Sequence, residues 1–377
     1  MENTADIGIV GAGIMGLAHA FAAASRGHRV VVFERDLRAS RASVRNFGLI
    51  WPIGQPHGTL YQLALRSRAH WLQVLNEAHL PYWSTGSLHA VYRKDEADVA
   101  REFAELAPGL GYQCSWRDRD ETLACSAALK PGDLIGALWS PQELTVDPRM
   151  TIATLPVYLN KKFGVQFRFG CAVRNIDLPV IEAGNEQWRI DRAIVCSGED
   201  FETLYPDLYA AAGLTRVKLQ MLRTEPQPAG WSLGPALAAG LTLRFYPSFG
   251  VCHTLAALEK RIMEETPEYD RWGIHGLVSQ TASGELTLGD SHEYGLSVDI
   301  FNREEIDNLV LSYIAGFLRA PNVRIAQRWY GVYAKHPYRP YISLDAAPGV
   351  RIITSPGGAG MTLSFGIAAE TFAGMES

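Results

Sequence analysis

A glycine-rich turn near the start of the chain places the strongest constraint on the fold. In the stretch IGIVGAGIMGLAHA, which covers Ile7–Ala20, a short apolar strand leads into the pattern GxGxxG, and a helix of small residues follows until Gly27. The next segment, Arg29–Phe33, is β-branched and ends at Glu34, close to the separation of roughly 20 residues that is typical of such units. This order of strand, glycine turn, helix, strand and acid predicts a parallel βαβ unit that binds a dinucleotide.

Each glycine of the turn has a distinct expected role. Gly11 permits the sharp turn, Gly13 lets the backbone approach a pyrophosphate, and Gly16 allows close packing of the helix on the strand. Glu34 would accept hydrogen bonds from ribose hydroxyls. The turn as a whole comprises Gly11, Ala12, Gly13, Ile14, Met15 and Gly16. These features fit NAD and FAD equally, because both carry an ADP moiety.

A second glycine turn lies near the end of the chain, in RIITSPGGAGMTLSFGIAAE at Arg351–Glu370. The pattern predicts a strand, a turn and a helix that begins near Met361. A helix N-terminus offers partial positive charge and free N–H groups, which suit the pyrimidine side of a flavin ring, where reduced flavin is negative. FAD is long enough for one turn to hold its phosphates and the other its ring. Alternatively, these glycines only allow a tight strand-to-helix turn, but three glycines in four positions exceed that need.

Composition narrows the class of protein. Of 377 residues, 47% are hydrophobic and 20% charged, which is typical of a soluble globular enzyme, and the net charge of -5 gives no attraction for nucleic acid or an anionic membrane. The apolar segment Ile7–Ala24 is interrupted by glycines and preceded by no Lys or Arg, so it is not a signal peptide. Five scattered cysteines without a CxxC pair predict neither a metal site nor a disulfide framework. We therefore expect a cytoplasmic enzyme.

The rest of the chain alternates helices and strands without an internal repeat. Amphipathic helices are predicted at Thr59–Ala78, Asp95–Ala107 and Glu304–Leu318, and antiparallel strands at LTLRFYP, HGLVSQT and GELTLGDSHEYG. Segments of cofactor-binding type recur at the start, middle and end. The predicted fold is α/β, with a Rossmann-like FAD-binding domain (1–80, 145–215 and 325–377) interleaved with an antiparallel-sheet substrate domain (81–144 and 216–324).

Seven motifs in this order resemble the D-amino-acid oxidase superfamily of FAD-dependent amine oxidases, especially its glycine and sarcosine oxidase branch. They are GIVGAGIMG with VVVFER, ASVRNFGLI, LTVDP, AVRNI, AIVCSGED, RWYGVY and GGAGMTLSFG, and they cover nearly the whole chain. The resemblance implies a D-amino-acid oxidase/glutathione-reductase-like fold. It also implies FAD, bound non-covalently, because the sarcosine oxidases tether their flavin to a late cysteine and no cysteine follows Cys252 here.

The resemblance assigns FAD contacts residue by residue. The ADP half is expected on the first glycine turn, Glu34 and Arg35. The adenine is expected at the backbone of Val173, and the pyrophosphate near Ser197 and Gly198. The ribityl chain and flavin are expected along Ser43, Asn46 and Gly48. The flavin ring is expected under Gly358, Gly360, Met361, Thr362 and Leu363.

On the substrate side the chain departs from the family pattern. Members that oxidise amino acids commonly carry an arginine in a WAGLRP-like stretch, where it pairs with the substrate carboxylate. The matching stretch here is WYGVYAKHP, in which Tyr333 takes the place of the arginine and Lys335 and His336 follow. These side chains suit a compact tetrahedral anion such as a phosphonate. The chain therefore looks most like a bacterial branch proposed to act on aminophosphonates, with 2-aminoethylphosphonate or a close relative as the implied substrate.

Further candidates for the substrate site come from two other segments. LGDSHEYG occupies the region where sarcosine oxidases place an active-site histidine, which indicates His292, and RFYP offers Arg244 and Tyr246 on a predicted strand. His292 or His336 could deprotonate the substrate ammonium near neutral pH. A structural role for His292 and a solvated position for Lys335 stay open. The catalytic candidates are thus His292, Tyr333, Lys335, His336 and Tyr246.

The expected reaction is oxidative deamination of a small amine to an aldehyde plus ammonia or an amine, with electrons passed to O₂ or another acceptor. Alternative functions are an oxidase or dehydrogenase of a glycine- or sarcosine-like amino acid, an NAD-dependent dehydrogenase, and a non-catalytic flavin-binding subunit. An NAD enzyme would leave the second glycine turn unexplained. A non-catalytic subunit would bind FAD that no small amine could bleach.

Overall fold

A computed structural model of the chain describes residues 3–376. Its helices, numbered in chain order, are α1 (Ile14–Ala24), α2 (Thr59–Glu77), α3 (Lys94–Leu110), α4 (Arg119–Cys125), α5 (Pro148–Phe163), α6 (Pro206–Ala211), α7 (Leu255–Glu265), α8 (Pro267–Arg271), α9 (Glu304–Phe317) and α10 (Gly360–Glu376). Each helix predicted from the sequence is present, with ends that differ by a few residues. Among the described residues, none of these helices is both long and apolar enough to cross a bilayer.

The strands alternate with these helices. They are β1 (Thr4–Val10), β2 (Val30–Glu34), β3 (Leu49–Ile50), β4 (Tyr82–Trp83), β5 (Ser87–Val91), β6 (Ser115–Asp118), β7 (Gly136–Ser140), β8 (Leu144–Val146), β9 (Gln166–Phe169), β10 (Val173–Asp177), β11 (Val180–Ala183), β12 (Glu186–Val195), β13 (Thr215–Thr224), β14 (Ala236–Ala239), β15 (Leu277–Gln280), β16 (Leu286–Gly289), β17 (Glu293–Gly295), β18 (Ile325–Lys335), β19 (Ile342–Ala347) and β20 (Val350–Thr354).

An eight-stranded sheet carries the first glycine turn. Its strand order is β10-β11-β12-β1-β2-β9, with β20 paired to β12 and β19 to β20. The central strands β1, β2, β12 and β20 run parallel. They are rich in buried Val and Ile because parallel sheets are covered on both faces. This arrangement confirms the predicted dinucleotide-binding unit and its return strands.

A nine-stranded sheet forms the second layer. It runs β17-β13-β16-β15-β14-β5-β7-β6, and β18 also pairs with β13. The antiparallel pairing of β13 with β18 extends from Thr215 opposite Lys335 to Thr224 opposite Ile325. Residues 325–335 therefore lie in this sheet, although the sequence boundaries grouped them with the cofactor-binding segments. A small sheet, β3-β8-β4, completes the fold.

The segment LTLRFYP does not form the strand that was predicted. After β14 the chain turns into a 3₁₀ helix, Gly240–Arg244. The backbone N–H of Leu241 donates to the hydroxyl of Tyr313 (2.9 Å) instead of a neighbouring strand. Gly240 also lies so close to Glu96 that an added Cβ would be 2.0 Å from its carboxyl carbon. These tertiary contacts end the strand despite its β-branched and aromatic residues.

Candidate active site

One cavity joins the two large sheets. It has a volume of about 920 Å³, near the upper end of the range for small-molecule sites. One end is lined by Glu34, Arg35 and Val173, and the other by Tyr246 and His292. Residues of both glycine turns line this cavity, so it connects the two turns that the sequence singled out.

The first glycine turn leaves no room for a side chain at Gly11 or Gly16. An added Cβ on Gly11, whose φ is +100°, would lie 2.5 Å from the carbonyl oxygen of Cys196. On Gly16 it would lie 1.9 Å from the carbonyl oxygen of Gly11. The helix α1 begins here without a side-chain cap from Gly13, and Ser43 Oγ accepts from the N–H of Ile14 (2.9 Å). A helix N-terminus with this backbone approach fits the pyrophosphate of FAD.

Glu34 lies at the end of β2, directly below this turn. Its Oε2 accepts from the N–H of Ala12 (2.9 Å) and its Oε1 from the N–H of Asp36 (3.0 Å). A carboxylate has further lone pairs, so Glu34 is held in place while it remains able to accept from ribose hydroxyls. Arg35 is paired with Asp200 (2.7 Å) at the same end of the cavity.

The loop after β2 is shaped by its own side chains. Asn46 Nδ2 donates to the carbonyl oxygens of Ala42 (2.9 Å) and Ser43 (3.0 Å), and its Oδ1 accepts from the N–H of Gly48 (2.7 Å). Gly48 has a φ of +72°, and an added Cβ would lie 1.9 Å from the carbonyl oxygen of Val146. Asn46 lines the cavity, and both residues fix the backbone that faces it.

The middle of the chain closes the cofactor end. Val173 on β10 lines the cavity together with Ser197 and Gly198, which follow β12. Ser197 Oγ donates to the carbonyl oxygen of Asp200 (3.1 Å), and Thr354 Oγ1 donates to the carbonyl oxygen of Gly198 (3.0 Å). These bonds hold the post-strand loop against β20.

The second glycine turn faces the same cavity. A short 3₁₀ turn, Gly357–Ala359, leads into α10, and Trp71 Nε1 donates to the carbonyl oxygen of Met361 (2.6 Å). Thr362 Oγ1 accepts from the N–H of Trp51 (2.9 Å). The cavity lining includes all the predicted residues of this turn: Gly358, Gly360, Met361, Thr362 and Leu363. The start of α10 is therefore held by hydrogen bonds to two other segments and lines the cavity.

The predicted anion-binding residues lie beside this turn. An added Cβ on Gly358 would be 3.5 Å from the hydroxyl of Tyr333. Burial holds the pKa of that hydroxyl well above its ordinary value, so it stays a neutral donor. Lys335 Nζ donates to the hydroxyl of Tyr294 (3.3 Å). His336 Nδ1 instead accepts from the N–H groups of Tyr338 (3.0 Å) and Arg339 (2.9 Å), which ties that nitrogen to the loop.

His292 and Tyr246 line another part of the cavity wall. His292 Nδ1 is 3.0 Å from the carbonyl oxygen of Gly273, so it carries the proton and donates. Burial lowers the pKa of His292 to about 4, which leaves its ring neutral at neutral pH. Burial raises the pKa of the Tyr246 hydroxyl, which therefore stays protonated. Arg244, by contrast, is bound to Asp270 (3.2 Å) and to backbone carbonyls.

Two further residues of this wall, His275 and Asp290, were not predicted. His275 Nε2 lies 3.0 Å from Asp290 Oδ1, and both residues are buried and line the cavity. They are adjacent because β15 and β16 form a hairpin in which Leu277 faces Gly289. The signal in the sequence is the polar turn between the predicted strands HGLVSQT and GELTLGDSHEYG, which indicates a hairpin that brings His275 opposite the segment with Asp290.

The sequence matches the family model for FAD dependent oxidoreductases over residues 6–373. Glycine oxidase of Geobacillus kaustophilus is 28% identical over 149 residues, which are 37% of this chain and 40% of that protein. D-amino acid dehydrogenase 2 of Mesorhizobium japonicum is 25% identical over 232 residues, 46% of this chain and 55% of that protein. The chain spans about half the length, or less, of these curated relatives.

Solved structures share the fold over nearly the whole chain. The crystal structure of glycine oxidase from Geobacillus kaustophilus has a TM-score of 0.77 at 19% identity, covering 98% of this chain and 94% of that one. L-α-glycerophosphate oxidase from Mycoplasma pneumoniae, with FAD bound, has a TM-score of 0.72 at 16% identity, covering 99% and 95%. At these identities the likeness establishes the architecture.

Proposed function

The chain belongs to the family of FAD-dependent oxidoreductases, and from this premise we propose that it oxidises a small amine that carries a compact anion at its far end. The observation that carries the proposal is the single cavity that joins both glycine turns to a wall with Tyr333 and Lys335. The cofactor-binding roles of the predicted residues are part of this proposal.

The residues fit FAD in chemistry as well as in place. The first turn and Glu34 would hold the ADP half, and the start of α10 would hold the ring. When bound, FAD supplies the acceptor for the hydride that leaves the carbon next to the amine nitrogen. The protein's own contribution is to bind, orient and enclose the substrate. The apolar lining from Phe47, Leu219 and Phe245 would keep water from the reacting carbon.

We assign the anion of the substrate to Tyr333 and Lys335. An arginine fork matches a planar carboxylate, whereas a tetrahedral anion accepts donors from several directions. The nearby Arg244 is committed to Asp270 and supplies no such fork. A phosphonate such as 2-aminoethylphosphonate, or its N-methyl or hydroxy derivative, therefore suits this wall. The products would be an aldehyde plus ammonia or an amine, with O₂ or another compound as the electron acceptor.

A second candidate is a glycine- or sarcosine-like amino acid. The similarity to glycine oxidase over 37% of this chain favours it. A carboxylate could also accept from Tyr333 and Lys335, though without a bidentate pair. The two candidates differ only in the anion and in the distance between that anion and the nitrogen.

The deciding experiment compares amines by anaerobic bleaching of the flavin. We expect 2-aminoethylphosphonate or one of its derivatives to bleach the visible absorption faster than glycine or sarcosine does. Equal or faster bleaching by glycine, sarcosine or proline would rule out the phosphonate and leave the broader amine oxidase. No bleaching by any amine would favour a non-catalytic flavin-binding subunit.

The protein is expected to purify yellow, with FAD that acid or heat releases intact. The reason is that no cysteine follows Cys252, so the C-terminal segment offers no thiol to tether the ring. The measurement is the absorption of the supernatant and pellet after acid precipitation. Flavin that remains in the pellet would contradict non-covalent binding.

A Lys335→Ala variant is expected to raise KM for the phosphonate about tenfold. A hydrogen bond to a charged group contributes about 1.5–3 kcal/mol, and the half-buried position of Lys335 reduces that value through solvent screening. Steady-state kinetics with a neutral amine serve as the control, since that substrate has no anion to lose. An equal change in KM for both substrates would remove Lys335 from the anion site.

A further inference from the structure

A buried cluster of three polar side chains lies in the cavity wall, beyond the residues assigned to the anion. His275, Asp290 and His292 are 2%, 4% and 4% exposed. Each side chain has one nitrogen or oxygen atom that could bind a ligand, and these three atoms all lie within 4.8 Å of one another. The rings of His275 and His292 are stacked, with centroids 5.2 Å apart. The cluster is thus a compact polar patch in a largely apolar wall.

This patch is incompletely satisfied within the protein. His275 Nδ1 and Nε2 and Asp290 Oδ1 are buried without an aligned hydrogen bond. The 3.0 Å separation of Nε2 and Oδ1 brings the two groups into contact, but the atoms are out of line for a normal bond. Buried polar atoms without partners are rare in proteins. The cavity beside them has room for a ligand that supplies missing partners.

The chemistry of the patch favours a ligand that donates hydrogen bonds. A carboxylate only accepts, and His292 uses Nδ1 as the donor to Gly273, which leaves Nε2 as an acceptor. An ammonium group offers two or three N–H donors on one small cation. A metal ion is the alternative occupant, because the same three side chains each offer one ligand atom.

Charged groups of both signs lie in this part of the cavity lining. Lys335 Nζ lies 5.1 Å from the ring centroid of Tyr294, whose ring is 6.4 Å from that of His292. His292 in turn has a ring nitrogen within 4.8 Å of an atom of Asp290. The other ionisable groups of the lining around the cluster are Arg244, Tyr246 and Tyr333. The lining therefore offers Lys335 as a cation and Asp290 as an anion, with two aromatic rings in contact between them.

We infer that Asp290, supported by His275, binds the ammonium end of the substrate, while Lys335 marks its anionic end. This inference rests on the proposed amine oxidation and deepens it: the substrate is a zwitterion whose opposite charges are separated along the wall. Before oxidation, one N–H proton passes from the ammonium to a ring nitrogen of His275. The nitrogen thereby regains its lone pair, and the carboxylate of Asp290 stabilises the imidazolium that forms.

Binding of matched ligands to the oxidised holoenzyme tests the inference at the step before the flavin is reduced. Ethylphosphonate has the anion but no amine, whereas 2-aminoethylphosphonate has both. Each ligand is titrated anaerobically. Binding is measured by the shift in the unfolding temperature of the protein and by the rapid change in the flavin spectrum that precedes bleaching. Asp290→Asn keeps the shape and removes the charge. It is expected to weaken 2-aminoethylphosphonate at least tenfold and to leave ethylphosphonate unchanged. If glycine is the amine that bleaches the flavin, glycine and acetate replace this pair.

The second variant, His275→Gln, separates proton transfer from binding. The rate at which the amine bleaches the wild-type flavin should rise with pH on the acid side of the pH profile. His275→Gln should remove or shift this rise. The affinity for the amine should fall less in His275→Gln than in Asp290→Asn. Should Asp290→Asn not fold, His275→Gln alone decides the question through this pH profile.

Several outcomes would overturn the inference while the proposed function stands. One is a wild-type enzyme that amines bleach, together with unchanged amine binding in Asp290→Asn and an unchanged pH profile in His275→Gln. Another is a stoichiometric divalent metal in the purified protein that is lost in Asp290→Asn, because the cluster would then be a metal site. Failure of every amine to bleach the wild type would instead count against the proposed function itself.

Discussion

A Gly16→Ala variant is expected to lose affinity for FAD by on the order of 100-fold. The added Cβ would lie 1.9 Å from the carbonyl oxygen of Gly11, so either α1 or the first turn must shift by more than 1 Å. Overpacking of this kind costs about 1–3 kcal/mol, and every 1.4 kcal/mol corresponds to about a tenfold change in affinity. Titration of the apoprotein with FAD, followed by flavin fluorescence, measures the effect.

Gly316→Ala provides the matched control. Gly316 lies in α9, is exposed, and has no atom within 4 Å of an added Cβ. This substitution should leave the affinity for FAD unchanged and raise stability slightly, because alanine favours a helix by up to about 1 kcal/mol over glycine. If Gly16→Ala binds FAD as tightly as the control does, the close packing of the turn is not needed for the cofactor.

Glu34→Ala is expected to weaken FAD binding by about 1.5–3 kcal/mol, the range for hydrogen bonds to a charged group. The structure adds a second reason, because the same carboxylate accepts from the N–H groups of Ala12 and Asp36. Loss of Glu34 would therefore both remove the proposed ribose contact and loosen the turn. The variant should remain folded, and FAD titration of its apoprotein gives the measurement.

Glu34→Gln distinguishes these two contributions. The amide keeps one acceptor oxygen of similar shape but loses the charge, so its FAD affinity should lie between those of the wild type and Glu34→Ala. Unchanged affinity in both variants would remove Glu34 from the cofactor site.

The parts of the fold that were predictable from the sequence depend on local chemistry. The first turn is identified by the spacing of its glycines, which is needed where two backbone segments pack closely. Gly16 is one such position, because an added Cβ would lie 1.9 Å from the carbonyl oxygen of Gly11. The strand Val30–Glu34 is identified by its β-branched run. The helix at Glu304–Phe317 is identified by its apolar period and its acidic first turn. In each case the local preference and the tertiary environment agree.

The parts that were wrong or missed depend on pairing that the local sequence does not specify, either between distant segments or across a hairpin. LTLRFYP has the composition of a strand, but Glu96 and Tyr313, which are far away in sequence, turn it into a 3₁₀ helix. The pairing of His275 with Asp290 likewise requires the register of a hairpin rather than a motif. His292 was found only because a family resemblance pointed to its segment.

The interleaving of the sheets has a consequence for the order of folding. The strand β1, which is early in the chain, pairs on one side with β12, so that Gly8 faces Ala193, and β12 in turn pairs with β20. Loop closure must precede these contacts, which makes such topologies slow to form. Until β9 and β12 have been synthesised, the outer edges of β1 and β2 lack their native partners. Unpaired apolar strand edges are prone to aggregation.

The proposed cofactor site includes the turn after β20, so it is complete only when that late segment has been added. FAD would then bind the native chain in preference to the earlier partial structures, and a ligand present at about 1,000 times its dissociation constant stabilises the native state by about 4 kcal/mol. The supply of FAD in the cell should therefore govern how much newly made chain reaches the folded state, in addition to how much of the folded protein is active.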